Sequence, residues 1–282
     1  MIIWIASYPK SGNTWLRSLL SAYLYTKDGE FEFNLLKNID QFPSKEYFKE
    51  YSKELKHPVD TTKFWISAQK KINLSKKTVL LKTHNALCAI DGNNFTNKQN
   101  TLGCIYVVRD PRNIITSIKN HYEFDINEAF NFITNKRNFI FQTSEKNFGD
   151  TQFVGSWSEH YKSWNIENYL PVKLIRYEDL FRNTFAILKD LLKFLNSLEP
   201  NNFAFNKEKL MKCIETTQFH VLQKQEIEKG FYESVKSKKN NKMIKFFNLG
   251  EKNQWNKLLD QKTEKKIREI FSDEMKKLGY IV

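Results

Sequence analysis

The sequence predicts an α/β fold, a parallel sheet covered by helices on both faces. Two observations carry that prediction. Four short apolar runs, Ile2–Ala6, Thr78–Lys82, Leu102–Val108 and Val172–Arg176, are separated from one another by stretches of helical periodicity. Strands this far apart need crossover connections, and helical crossovers make neighbours parallel and bury both sheet faces. The first run also passes directly through Pro9-Lys10-Ser11-Gly12-Asn13-Thr14 into an amphipathic run, which reads as strand, tight turn and helix.

In order along the chain, the helix Thr14–Tyr25 follows from Leu16, Leu19, Leu20, Tyr23 and Leu24 on one face. Helical patterns then fall at Lys45–Lys56 and Thr61–Ile72, before the second strand. Arg112–Tyr122, Ile126–Asn138 and Phe153–Asn168 lie between the third and fourth. Phe185–Asn196 places Leu188, Leu191, Leu192 and Leu195 on one face, a plain core stripe. Lys207–Ile214, Thr217–Lys229 and Thr263–Leu278 complete the set. Trp157, His160 and Trp164 share a helical face at spacings of three and four, which reads as core, with His160 also a candidate for an acceptor pocket. The connections 30–41, 85–100 and 145–152 are either substrate gates or plain loops.

Ligands of open α/β sheets bind beyond the carboxyl ends of the strands. Lys10, His84 and Arg109 each follow such an end, so three strands deliver a lysine, a histidine and an arginine to one edge. A helix N-terminus with unpaired N–H groups and a positive dipole end suits a phosphate. Lys10 adds a point charge, and Ser11, Asn13 and Thr14 add short polar donors. The turn is not a Walker A loop, which needs two glycines with Lys and Ser/Thr after the second; here one glycine follows the lysine.

At 282 residues, with 23 Phe, 12 Tyr and 6 Trp, the chain has the length and aromatic content for one large folded domain, taken as residues 1–282. Cys88, Cys104 and Cys213 are scattered and lack metal-ligand or disulfide spacing, and a reducing cytoplasm is the simple reading. No signal peptide and no apolar run long enough to span a membrane is legible. The net charge of +13 is either a field that draws in anionic substrates or a lysine-rich solvated surface. The basic stretch Lys236–Lys245 belongs to no recognisable nucleic-acid module, so no nucleic-acid partner is assigned.

Tyr8-Pro9-Lys10-Ser11-Gly12-Asn13-Thr14-Trp15 resembles the 5′-phosphosulfate loop of sulfotransferases that use 3′-phosphoadenosine 5′-phosphosulfate (PAPS). Four further segments resemble the family in its order: Leu80–His84, the stretch from Tyr106 to Asn113 with Ser117, Gly155–Trp164, and Ile175–Leu180. The resemblance implies a P-loop-like three-layer fold with a central, mainly parallel sheet. It also implies sulfuryl transfer from PAPS to a hydroxyl or amine on a small-molecule, lipid or glycan acceptor. No metal is implied, because lysine charge takes the metal's place. Lys10 matches the lysine that contacts the leaving oxygen, and Lys82 the lysine that assists at the sulfuryl group. His84 matches the general base, a histidine being substantially neutral at pH 7. Ser11, Gly12, Asn13 and Thr14 match the 5′-phosphate turn. Arg109 and Ser117, eight residues apart, match the 3′-phosphate site, where an arginine fork suits phosphate; a local Arg109–Asp110 ion pair is the alternative.

Tyr177 matches the tyrosine at the adenine. Trp15 either packs on the adenine or is a first-turn core aromatic. Thr217-Gln218-Phe219 stands where the family has a Thr-Ser-Phe element near the nucleotide. The departure lies at Asn248-Leu249-Gly250, where the family has Arg-Lys-Gly: Gly250 is kept, and the two basic residues that clamp the 3′-phosphate are not, with Lys245 or Lys252 as candidates to compensate. A small-molecule kinase of the wider P-loop class and a nucleotide-binding pseudo-enzyme are the rival readings. Oligomeric state is not legible.

Overall fold

The computed structural model describes residues 1–141, 148–166, 169–237 and 239–281. Its strands are β1 (Ile2–Ser7), β2 (Val79–Thr83), β3 (Ala89–Ile90), β4 (Asn93–Asn94), β5 (Thr101–Val108), β6 (Phe139–Ile140), β7 (Gln152–Phe153) and β8 (Val172–Arg176). The four expected strands form one parallel sheet in the order β2-β1-β5-β8, while β3-β4 and β6-β7 are two-residue antiparallel ladders. The chain runs from β1 outward to β2 and later from β5 outward to β8. The strand order therefore reverses between β1 and β5, which is where a crevice opens beyond the carboxyl ends.

Alternation along β1 divides the core. Ile2, Trp4 and Ala6 face one side and Ile3 and Ile5 the other, all fully buried. The helices are α1 (Asn13–Tyr25), α2 (Trp65–Asn73), α3 (Pro111–Tyr122), α4 (Ile126–Thr134), α5 (Trp157–Trp164), α6 (Tyr177–Arg182), α7 (Thr184–Leu198), α8 (Lys207–Thr216), α9 (Phe219–Lys229), α10 (Trp255–Leu258), α11 (Gln261–Ile270) and α12 (Ser272–Lys277). The first layer of side chains comes from α2 to α5, α11 and α12, and the second from α1 and α6 to α9. Trp157, His160 and Trp164 are buried on the first side, and the leucine stripe of α7 on the second.

Several expected helices are shorter or tighter. Lys45–Glu54 is 3₁₀ helix that buries only Phe48, and Asp60–Phe64 is 3₁₀ helix leading into α2. The helix from Ile126 stops at Thr134, where polar 135–138 begins and the Asn135 side chain accepts the Arg137 N–H. The helix expected from Phe153 begins at Trp157, because Gly155 has φ +58° and Ser156 caps the first turn, accepting from Glu159 N. Residues 167–168, its expected end, and 145–147 of the expected gate loop lie outside the described residues. The C-terminal helix divides at Phe271, whose ring is buried. The expectation missed α6, which starts on the last strand with no break in sequence pattern.

Candidate active site

The turn after β1 is shaped by two left-handed residues, Lys10 at φ 65° and Gly12 at φ 99°. A Cβ on Gly12 would lie 2.4 Å from the Tyr177 ring, so the turn needs glycine both for its φ and for the close approach of that ring. The Asn13 amide donates to the Ile5 carbonyl (3.0 Å) and the Ser7 hydroxyl (3.2 Å). Asn13 therefore locks the turn to β1, and its side chain is not aimed outward as a donor, contrary to the sequence expectation. Ser11 Oγ is buried with no hydrogen-bond partner among the described residues, and so is Nε of Arg109. Orphaned polar atoms of this kind, at an N-terminal turn beside a guanidinium, fit an anionic ligand. The Lys10 ammonium sits 3.9 Å over the Phe246 ring. Burial pushes it down to about 7; Glu233 opposes that push, while the Arg109 and Lys82 charges add to it.

His84 follows β2 directly. Its Nδ1 lies 2.8 Å from the Ser7 carbonyl and 3.2 Å from Ser7 Oγ. A carbonyl only accepts, so Nδ1 carries the proton and Nε2 keeps the lone pair that a base requires. The backbone is pinned from both sides: His84 N donates to Gln152 Oε1 (2.7 Å), and His160 Nε2 donates to the His84 carbonyl (3.0 Å). Burial, helped by the Lys82 charge, pushes the His84 imidazole well below the ordinary histidine range, so it is neutral at physiological pH. His160 is fully buried; its Nδ1 accepts from the Tyr106 hydroxyl (2.8 Å), and burial lowers its pKa to about 4. It holds His84 in place, with its own ring fully enclosed.

Arg109 directly follows β5 at the crevice. Its Nη1 donates to the Lys10 carbonyl (3.2 Å), and the guanidinium stacks 4.2 Å over Tyr177. The alternative of an Arg109–Asp110 pair does not hold. Asp110 pairs with Arg112 (2.7 Å), which also donates to the Tyr280 carbonyl and lies 3.9 Å over Trp255. Ser117 is half-buried on α3, without a hydrogen bond to any of these groups. The C-terminal segment runs beside it: Asn253 accepts from Thr116 Oγ1 (2.5 Å) and donates to the Asn113 carbonyl (2.9 Å).

Aromatic side chains gather at the start of α1 and α9. Trp15 is half-buried; its Nε1 donates to the Thr217 carbonyl (3.0 Å), and its ring meets Tyr177 edge-on at 5.8 Å and exposed Phe181 at 6.3 Å. Phe219 packs on Gly250, where a Cβ would come within 2.7 Å of the ring, at φ 52°.

Sequence reasoning missed two residues. Glu233 accepts from Thr14 Oγ1 (2.8 Å), Arg17 Nη1 (2.6 Å) and Lys82 Nζ (3.2 Å), tying α1 and β2 to the segment after α9. Burial raises its carboxyl, but Lys82 and Arg17 outweigh that and hold it well below the carboxylate range. Glu226 accepts the N–H groups of Phe246 (2.6 Å) and Phe247 (2.9 Å) and the Ser234 hydroxyl (2.7 Å). No motif marks either carboxylate. An arginine at position 17, between Leu16 and the buried Leu19 and Leu20, was the one available signal that a buried acid exists elsewhere.

The model of the family described as Sulfotransferase domain matches residues 2–279. The chain belongs to the sulfotransferase family. It is 25% identical over 219 residues to mouse Sulfotransferase 1B1, covering 77% of this chain and 64% of that protein. Against rat Sulfotransferase 1A1 it is 26% identical over 202 residues, 70% of this chain and 60% of that one. The chain thus aligns with under two thirds of the length of either relative. Retinol dehydratase, solved with androsterone and the inactive cofactor PAP, superposes with a TM-score of 0.56 at 14% identity, covering 98% of this sulfotransferase-family chain and 80% of the other. These likenesses establish the P-loop-like α/β fold of the family.

Proposed function

We propose that the protein transfers the sulfuryl group of PAPS to an acceptor hydroxyl or amine, with His84 as general base. The observation that supports this reading is the His84 imidazole, neutral and with Nε2 unpartnered among the described residues, just past the strand next to the Lys10–Thr14 turn. Bound there, PAPS supplies an activated sulfuryl group and a phosphate leaving group. Lys10 and the N–H groups at the start of α1 bind the 5′-phosphate, with the Thr14 hydroxyl. Lys10 and Lys82 stabilise charge on the bridging and transferring oxygens. His84 Nε2 takes the acceptor proton while Nδ1 stays bonded to Ser7, which fixes the ring. Arg109 and Ser117 hold the 3′-phosphate, and Trp15, Tyr177, Thr217, Phe219 and Gly250 flank the adenine. The acceptor is a small molecule, lipid or glycan, and the reading places the enzyme in the cytoplasm as one domain.

The test is transfer of labelled sulfate from PAPS to an acceptor pool in the presence of EDTA. Sulfate transfer is expected. Magnesium-dependent phosphotransfer from ATP without sulfate transfer would make the protein a kinase, and PAP binding without any turnover would make it a pseudo-enzyme.

A further inference from the structure

Glu233 is a buried acid at the edge where an anionic donor is to be held, and sulfuryl transfer assigns it no task. Its two oxygens have different partners. Oε1 receives Arg17 at 2.6 Å and Lys82 at 3.2 Å, and Oε2 receives the Thr14 hydroxyl at 2.8 Å. Arg17 is a fixed partner, since its other amino group is bonded to the Leu36 and Ile39 carbonyls. Lys82 has three hydrogens and can serve a carboxylate and a second anion together. Thr14 has one hydroxyl hydrogen. It goes either to Glu233 or to a phosphate oxygen, not to both.

Glu233 is also presented rather than loosely hung. It follows Gly230 in the stretch that Glu226 clamps by bonds to Phe246, Phe247 and Ser234. Its side chain is only 14% exposed.

We propose that Glu233 is a built-in competitor for the Thr14 hydroxyl, a residue that sets how tightly the 5′-phosphate of the donor, and of the bisphosphate product, is held. The proposal rests on the reading that Thr14 is a 5′-phosphate ligand. Donor binding takes the Thr14 hydrogen from Glu233 Oε2 and leaves the carboxylate on Arg17. Product release returns it. The competition weakens ground-state binding of both nucleotides and shortens the life of the product complex, a step that limits turnover in many enzymes.

The experiment is calorimetric titration of the full chain with adenosine 3′,5′-bisphosphate. The main variant is Arg17→Met with Glu233→Met. It removes one positive and one negative charge, so the formal net charge is unchanged and neither member of the pair is left buried alone; Lys82 also loses its carboxylate, a change that the Thr14→Val background below shares. The expected result is about tenfold tighter binding than wild type, the scale of one hydrogen bond to a charged group. In a Thr14→Val background the same pair of substitutions should change affinity by less than about threefold, because the shared hydroxyl is gone. Affinity no tighter than wild type overturns the proposal, as does an equal gain with and without Thr14. If the double variant does not fold, Glu233→Asp carries the test. Its shorter reach keeps the charge on Arg17 and gives up Thr14, so binding should tighten about threefold, and unchanged affinity overturns the proposal. Wild-type protein that does not bind the bisphosphate at all refutes the donor-site reading itself, a result distinct from bisphosphate binding that Glu233 does not affect.

Discussion

Lys10, Lys82 and Arg109 are carried at the ends of three adjacent parallel strands, whereas Phe219, Phe246 and Gly250 reach the same region from a segment held by scattered polar bonds. The first group is placed by register: Ala6 pairs with Thr83 and Ser7 with Val107, so the ends of β2, β1 and β5 finish together. The second is placed by single contacts, such as Glu226 to two backbone N–H groups, Gln223 Nε2 to the Phe247 carbonyl (2.8 Å) and Asn253 to α3. A sheet edge fixes atoms rigidly enough for bond making. A clamped cover governs how tightly a ligand is held. Changes at His84, beside that edge, should therefore reduce turnover alone, changes at the phosphate-holding cations of the edge should reduce turnover and affinity together, and changes in the cover should alter nucleotide affinity.

The largest effect is expected at His84. His84→Ala should lower turnover by about 10²- to 10⁴-fold, the range for a lost general base, while PAP affinity stays within about twofold. Parallel losses in affinity and turnover, in steady-state kinetics set beside calorimetry, would break the separation between the two regions.

The buried histidines give the next effect, on stability. Burial lowers His121 to about 3 and His160 to about 4, and pushes His84 well below the usual range. The unfolded chain protonates these groups near pH 6.5, so their contribution is complete above that pH and is lost as pH falls toward the folded values. Each histidine should cost about 1.4 kcal/mol per pH unit within that window. Carboxylates with lowered pKa, Glu233 among them, act only below about pH 4.5, so the loss between pH 6.5 and 4.5 belongs to the histidines. Thermal melts across this range should show Tm falling, and His160→Gln should flatten the fall. An equal slope in that variant would show that His160 is not held neutral by the fold.

A smaller effect is expected at the cover. Glu226→Gln weakens the bonds to Phe246 and Phe247, and should raise the donor KM about tenfold while turnover at saturation changes less than about threefold. A loss of turnover as large as that of His84→Ala would mean that the cover also sets the chemistry.

The same division explains what could be read from the sequence. Strand runs such as Ile2–Ala6 and the turn with Lys10 and Gly12 are local signals, so the four strands and the cations at their ends were legible. His84 was too, because it ends a strand; its tautomer was not, since that depends on the Ser7 carbonyl of another strand. Glu233 meets Thr14 from 219 residues away and Arg17 from 216, and no periodicity encodes such a pairing. For Asn13 only the side-chain donor reading fails, because its amide turns back on β1. The spacing of charges and aromatics over Lys45–Lys56 predicts a regular helix, whereas Lys45–Glu54 is 3₁₀ helix in which Phe48 alone is fully buried and Tyr47 and Tyr51 pack at the edge of the core.

The central claim is that two separate phosphate sites converge on one nucleotide: the Lys10–Thr14 turn for the 5′-phosphate, and Arg109 with Ser117 for the 3′-phosphate. Calorimetry with adenosine 3′,5′-bisphosphate, AMP and ADP, without metal, tests it most directly. The account predicts that the bisphosphate binds at least about tenfold more tightly than AMP or ADP, and that Arg109→Ala removes most of that advantage. Equal affinity for AMP and the bisphosphate would contradict it.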